Sequence, residues 1–235
     1  MSRKVFGVCM QKRIILSVLL ITVLCLASCS KLSELTGNEN YVEGIKYKGV
    51  DYIGTSFFCA AEDKLYLGRA DNGASVYAIG DKKDPVYIVI DGSDNTGCYI
   101  KEGYSVPTSG TITKVLVDPY VRGNNKIVVS KEDELNIVAE LTAIGGEVHE
   151  FTVDNYFTNG NSFYYVYDGS NVSNYQNYGG YIAYVNGSWI YSAPGMKIEI
   201  DQRISNTAVV EAVIIEDAEL INSICKTDLV KWMYH

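Results

Sequence analysis

The clearest pattern in the chain is Tyr181-Ile182-Ala183-Tyr184-Val185, then Asn186-Gly187, then Ser188-Trp189-Ile190-Tyr191. Two β-prone runs flank a dipeptide that accepts positive φ at both positions, which predicts a tight hairpin with a type I′ turn. From about Ile45 to Pro119 strand patterns dominate. Ile45–Lys48, Asp51–Gly54, Ser75–Ile79 and Val86–Ile90 alternate or are rich in β-branched and aromatic residues, and Gly and Asp clusters separate them. The period then changes. Lys126–Val129 reads as a short strand, and Ser130 offers an N-cap with Asp133 three residues on. Leu135, Val138 and Leu141 fall on one helical face, with Gly145-Gly146 to end the helix. Residues 147–200 return to strands. Ala208–Ile215 reads as a strand, and Glu216–Trp232 as a helix burying Leu220, Ile224, Leu229 and Val230. Val128–Leu135 and Val213–Leu220 are faintly alike, each a strand feeding an acidic helix start that complements the helix dipole. The expected class is α+β, mostly antiparallel strands with two helices in the C-terminal half.

The N-terminus follows a different logic. Arg3, Lys4, Lys12 and Arg13 precede an apolar run from Ile14 to Leu26, interrupted by Ser17, Thr22 and Cys25. That run is too short for a permanent bilayer span, which needs roughly 20 residues. It ends in Leu26-Ala27-Ser28-Cys29: an aliphatic residue, two small ones and a cysteine. This tetrapeptide resembles the lipobox of bacterial lipoprotein precursors. The resemblance implies diacylglyceryl transfer to the Cys29 thiol, cleavage after Ser28, and fatty-acyl (palmitate-type) anchoring on the extracytoplasmic face of the cell membrane. Cys25 is the poorer acceptor, because Leu24 before it is bulky. Met10-Gln11-Lys12-Arg13 would open a compact leader, so translation is expected to start at Met10. The organisation expected is a signal peptide at 1–28, a polar tether at 29–44, a β-rich subdomain at 45–120 and an α+β subdomain at 121–235. The body also resembles, in its GYIAYVNGSWIYS segment and strand-rich first half, small uncharacterised surface lipoproteins of Gram-positive bacteria; that likeness implies no activity.

Charge narrows the partners. The whole chain carries a formal −8, and residues 1–28 hold four cations and no acid, so the remainder carries −12. An acidic body repels phosphate backbones, which excludes nucleic acid as a partner, and anionic lipid, so membrane contact falls to the anchor. Beyond the leader and Cys29 only Cys59, Cys98 and Cys225 remain. That is no disulfide framework; a single Cys59–Cys98 bridge and buried thiols are both compatible with the spacing.

Catalytic and metal chemistry are poorly supplied. His149 is the one histidine before the terminal His235, and neither Cys-x-x-Cys nor His-x-x-x-His occurs. Asp91, Ser93, Asn95 and Glu102 imitate the 1, 3, 5 and 12 positions of a calcium loop. Glycine stands at the seventh place instead of the sixth, however, and the flanks read as strands, so a turn explains the same residues. No metal, cofactor or nucleotide is expected. Tyrosine is abundant, 19 in all. Tyr164-Tyr165-Val166-Tyr167 alternates faces, so some rings should meet solvent. The loop Gly169–Gly180, rich in Ser, Asn, Tyr and Gly, has the composition of an adaptable recognition loop. Tyr175, Tyr178 and Tyr181 are the candidate binding surface, for an envelope protein or glycan. The competing expectation is an envelope hydrolase using a carboxylate pair, for which no spacing selects the residues.

Overall fold

The computed structural model describes residues 32, 34–37, 44–92, 96–118, 127–201 and 207–230. The expected leader, the lipid-acceptor Cys29 and much of the tether lie outside them. The chain folds as two compact units, one drawn from residues up to Thr55 and from Leu65–Glu102, the other from Ser56–Lys64 and the chain from Gly103 onward. Both are built mainly of antiparallel strands, and the helices fall in the C-terminal half, so the protein is β-rich and not a balanced α+β mixture.

The first unit is a seven-stranded sheet. Strands β1 (Leu35–Gly37), β2 (Gly44–Tyr47) and β3 (Val50–Thr55) form one meander. The chain then departs to make β4 (Phe58–Cys59) in the second unit, and returns as β5 (Lys64–Arg69), β6 (Ser75–Ile79), β7 (Tyr87–Asp91) and β8 (Thr96–Lys101). The sheet order is β1-β2-β3-β8-β7-β6-β5. Alternate residues Ile45, Tyr47, Tyr52, Val76, Ile88, Ile90 and Tyr99 share one buried face, as period-two patterning requires. The Tyr52 hydroxyl donates to the Pro85 carbonyl at 2.6 Å. The turn between β2 and β3 is Lys48-Gly49, with φ of 52° and 79°. It has the double positive φ of the hairpin turn foreseen further along, at a dipeptide that did not announce it.

The second unit is one long sheet with its two longer helices on one face. Strands β9 (Ile112–Asp118), β10 (Ile127–Val129), β11 (His149–Val153), β12 (Gly160–Tyr167), β14 (Tyr178–Val185), β15 (Ser188–Ser192) and β17 (Thr207–Ile214) run in the order β10-β9-β12-β14-β15-β17-β11, and β16 (Ile198–Asp201) also pairs with β17. A separate two-stranded ribbon joins β13 (Val172–Ser173) to β4. Because β9 pairs with β10 and β12, the second unit takes in residues well before the division expected after residue 120.

Helices α1 (Glu132–Thr142) and α3 (Ala218–Ile224) contact each other and cover one sheet face. Val138, Leu141, Leu220 and Ile224 pack there with Val115, Val117, Phe163, Ile182, Trp189, Tyr191 and Val213. The opposite face is also buried, through Tyr181, Ala183, Ile190, Val210 and Ala212 under Val153 and Tyr156, the latter on the single helical turn α2 (Tyr156–Asn159). Burial on both faces is why β14 contributes Gly179–Ala183 without a break to the interior.

Three local expectations change. Helix α1 is capped by Lys131 and not by Ser130, and no side chain closes its first turn. Three acids in that turn, Glu132, Asp133 and Glu134, face the helix's positive end, and Glu134 is nearly buried beside the Lys131 ammonium at 3.0 Å. The helix ends at Thr142, with Ala143 still right-handed, so Gly145-Gly146 do not terminate it. The last helix is also shorter than its apolar spacing suggested. It stops at Ile224, and Leu229 and Val230 reach the core from turns beyond it. The Asn186-Gly187 hairpin holds as expected, with φ of 50° and 86° and Val185 opposite Ser188.

Candidate functional site

The loop between β12 and β14 is held by its own polar side chains. Ser170 Oγ accepts from the Val172 amide at 3.1 Å, and Ser173 Oγ donates to the Tyr165 carbonyl at 2.6 Å. Asn174 then caps a 3-10 turn, Tyr175–Asn177, its Oδ1 accepting from the Gln176 amide at 3.0 Å. The Asn177 side chain is buried and donates from Nδ2 to the Pro107 carbonyl at 2.9 Å. The composition that suggested an adaptable loop therefore makes a pinned one, because Ser170 and Asn174 satisfy backbone amides within the loop while Ser173 and Asn177 tie it to the Tyr165 and Pro107 carbonyls.

The β4 segment holds the loop from outside. Val172 pairs with Cys59 and Ser173 with Phe58. Lys114 on β9 donates to both oxygens of Asp63, at 2.9 and 3.0 Å, and to Asn171 Oδ1 at 3.2 Å. Lysine and aspartate are both largely shielded from solvent, so this ion pair is less screened than a surface pair.

On this base Tyr175 projects with 71% of its surface exposed. Its ring meets Phe58 at 5.5 Å and 68°, and Tyr164 at 6.1 Å and 80°, both edge-on. Phe58 and Tyr164 are themselves in contact at 4.6 Å. Edge-to-face contacts of this kind fix ring orientation while leaving much of the ring open. Sequence reasoning missed Phe58; nothing in Ser56–Ala60 announces a partner so far along the chain, and only the β4–β13 pairing brings it here.

The other two candidates do not join Tyr175 on a surface. Tyr181 belongs to the core: it is fully buried, stacked on Tyr156 at 4.4 Å, and donates its hydroxyl to the Tyr156 carbonyl at 2.9 Å. Expected on a binding surface, it lies instead on the second buried face. Tyr178 is half-buried against Tyr164 at 5.6 Å. Its hydroxyl is sealed from solvent, and Ser162 lies near it without a well-directed hydrogen bond. Burial raises the phenol pKa of Tyr164, Tyr178, Tyr181 and Tyr191 far above the ordinary value, and neighbouring phenols add to the effect. A Cβ placed on Gly179 would stand only 2.7 Å from the Phe163 ring and 2.8 Å from Tyr165.

Other candidate chemistry finds no assembled site. His149 is exposed on the edge strand β11, its ring 6.3 Å from Phe151. Asp91 ends β7 opposite Thr96 at the start of β8, and Glu102 follows the far end of that extended strand, as a hairpin requires and a calcium loop forbids; residues 93–95 lie outside the described ones. Among the described residues no group of three His, Cys, Asp or Glu side chains could hold a metal. Cys59 is buried, Cys98 half-buried and Cys225 exposed, and all three stand as thiols. Glu140, Asp217, Glu219 and Ser223 line an open cleft of about 470 Å³ where α1 meets α3. Its Asp217 carboxylate is engaged in accepting from the Glu219 and Leu220 amides. No described helix is long and apolar enough to cross a membrane.

The chain matches no family model, no curated protein and no solved structure.

Proposed function

We propose that this protein is a lipid-anchored surface module of the bacterial cell envelope that binds a partner, without catalysis, through the platform centred on Tyr175. The observation that carries the binding reading is one aromatic ring left 71% exposed while Phe58 and Tyr164 hold it edge-on. A rigid exposed tyrosine offers contact area at little entropic cost, because its rotamer is already chosen in the free protein. The anchoring reading rests on Leu26-Ala27-Ser28-Cys29 at the end of a short apolar run behind four cations. Two or more acyl chains on Cys29 would retain the domain firmly at the bilayer, since each buried methylene contributes about 0.8 kcal/mol.

Metabolic labelling with palmitate tests the anchor. The wild-type chain is expected to take up label and to fractionate with membranes. Cys29→Ser should remain unlabelled and unprocessed. A serine variant that is still labelled and trimmed to the same product would defeat the assignment. For the platform, Tyr175→Ala should abolish retention of the protein on isolated cell envelopes stripped of their own copies, with its unfolding midpoint unchanged. Retention equal to wild type would remove Tyr175 from the function.

A further inference from the structure

We infer that the Tyr175 platform takes an uncharged polysaccharide; this rests on the binding reading above and specifies its ligand. Three observations select that class. The first is the composition of the surround. Between residues 168 and 180 Tyr175 is the one large apolar side chain that is exposed, and its chain neighbours Asn174 and Gln176 carry amides. A protein interface of standard size buries about 800 Å² per partner around an apolar centre. With Tyr164 buried and Phe58 half-buried beneath it, one strongly exposed ring does not supply that centre. It does match a pyranose, which presents an apolar C–H face to stack on an aromatic ring and hydroxyls at its rim for amides to bond.

The second observation is charge. Lys114, the lysine that reaches this loop at Asn171, is also taken up by Asp63. Asp168 is exposed nearby, its Oδ1 accepting from the Thr111 amide at 3.2 Å, and the chain beyond residue 28 carries −12. Phosphate- or carboxylate-bearing polymers would be repelled here, while a neutral chain is not. The third is shape and rigidity. The ring stands out from a pinned turn and not within an enclosed cavity, so it meets the side of an extended chain more readily than it swallows a small molecule. A single stacking ring binds one residue weakly; repeated sugars on an insoluble polymer multiply the encounter through effective concentration.

The test is co-sedimentation of the full chain, purified in detergent, with insoluble chitin and cellulose, alongside a polyphosphate resin. Wild type is expected to pellet with at least one neutral polymer and not with the resin. Tyr175→Ala should lower the bound fraction at least fivefold, and Tyr175→Trp, with a larger ring, should retain it. Near-ultraviolet circular dichroism checks that each variant stays folded. Equal pelleting of wild type and Tyr175→Ala overturns the inference, as does binding to the anionic resin alone. If no neutral polymer is bound while a photo-crosslinker beside position 175 captures a protein in a Tyr175-dependent way, the polysaccharide assignment falls and the platform survives.

Discussion

Residues with one chemistry play opposed parts in this protein. Tyr175 and Tyr181 are six positions apart, yet one offers its ring to solvent and the other is sealed under Tyr156. The buried phenols make stability depend on alkaline pH. Burial disfavours the phenolate, so the folded pKa of Tyr52 is pushed up to about 12, with the charges of Asp84 and Tyr47 adding to it. Tyr164, Tyr178, Tyr181 and Tyr191 are raised further. An unfolded tyrosine ionises near 10. Below pH ~10 both states hold the proton and stability does not vary on this account. Above it the unfolded state loses protons that the native state keeps, so stability falls as pH rises toward the folded values, by up to about 1.4 kcal/mol per pH unit for each such phenol. Urea unfolding between pH 8 and 12 should show a plateau and then a steep decline beginning near pH 10. A stability that stays level to pH 12 would contradict the burial of these hydroxyls.

At the scale of elements, the two strand-to-helix joins look alike in sequence and are closed differently. Before α3, Asp217 Oδ1 accepts from the amides of Glu219 and Leu220 at 2.8 and 3.0 Å. Before α1 no side chain does so, and Ser130 stands outside the cap. Asp217→Ala is therefore expected to cost about 1 kcal/mol, and Ser130→Ala less than about 0.5 kcal/mol, both read as shifts in the urea midpoint. Equal losses at the two positions would mean the caps are misassigned. Much of this level was legible from the chain. The Asn186-Gly187 hairpin and strands β6 and β7 followed from propensity and turn chemistry alone. Strand β4 did not, because two residues carry no period, and its partner β13 is equally short. The length of the last helix was misread because Leu229 and Val230 continue the apolar supply without continuing the helix.

At the scale of the molecule, the order of the chain and the order of the fold part company. The second unit begins with Ser56–Lys64, leaves the first unit to be finished, and resumes at Gly103. That short excursion brings Phe58 and Ala60 to Leu116 and Val166, and Asp63 to Lys114. A fragment spanning residues 103–235 lacks all of these. It is expected to melt below the corresponding transition of the whole chain and to bind a hydrophobic dye, and a peptide of residues 56–64 should reduce that dye signal. A fragment with an unchanged midpoint and no dye binding would show the excursion to be dispensable.

The chain by itself determined what depends on neighbours in sequence: a basic and then apolar N-terminal stretch running up to Cys29, strands of period two, two acidic helix starts, and a turn that only residues tolerant of positive φ can make. Tertiary structure decided which tyrosine is seen by solvent. Exposure is a property of what packs above a residue, and alternation along a strand says only which face a ring occupies. Here both faces of the long sheet are covered, so Tyr181 is lost to the core. A two-residue strand from far away sets Phe58 beside Tyr175, a placement that rests on long-range pairing and leaves no local signal.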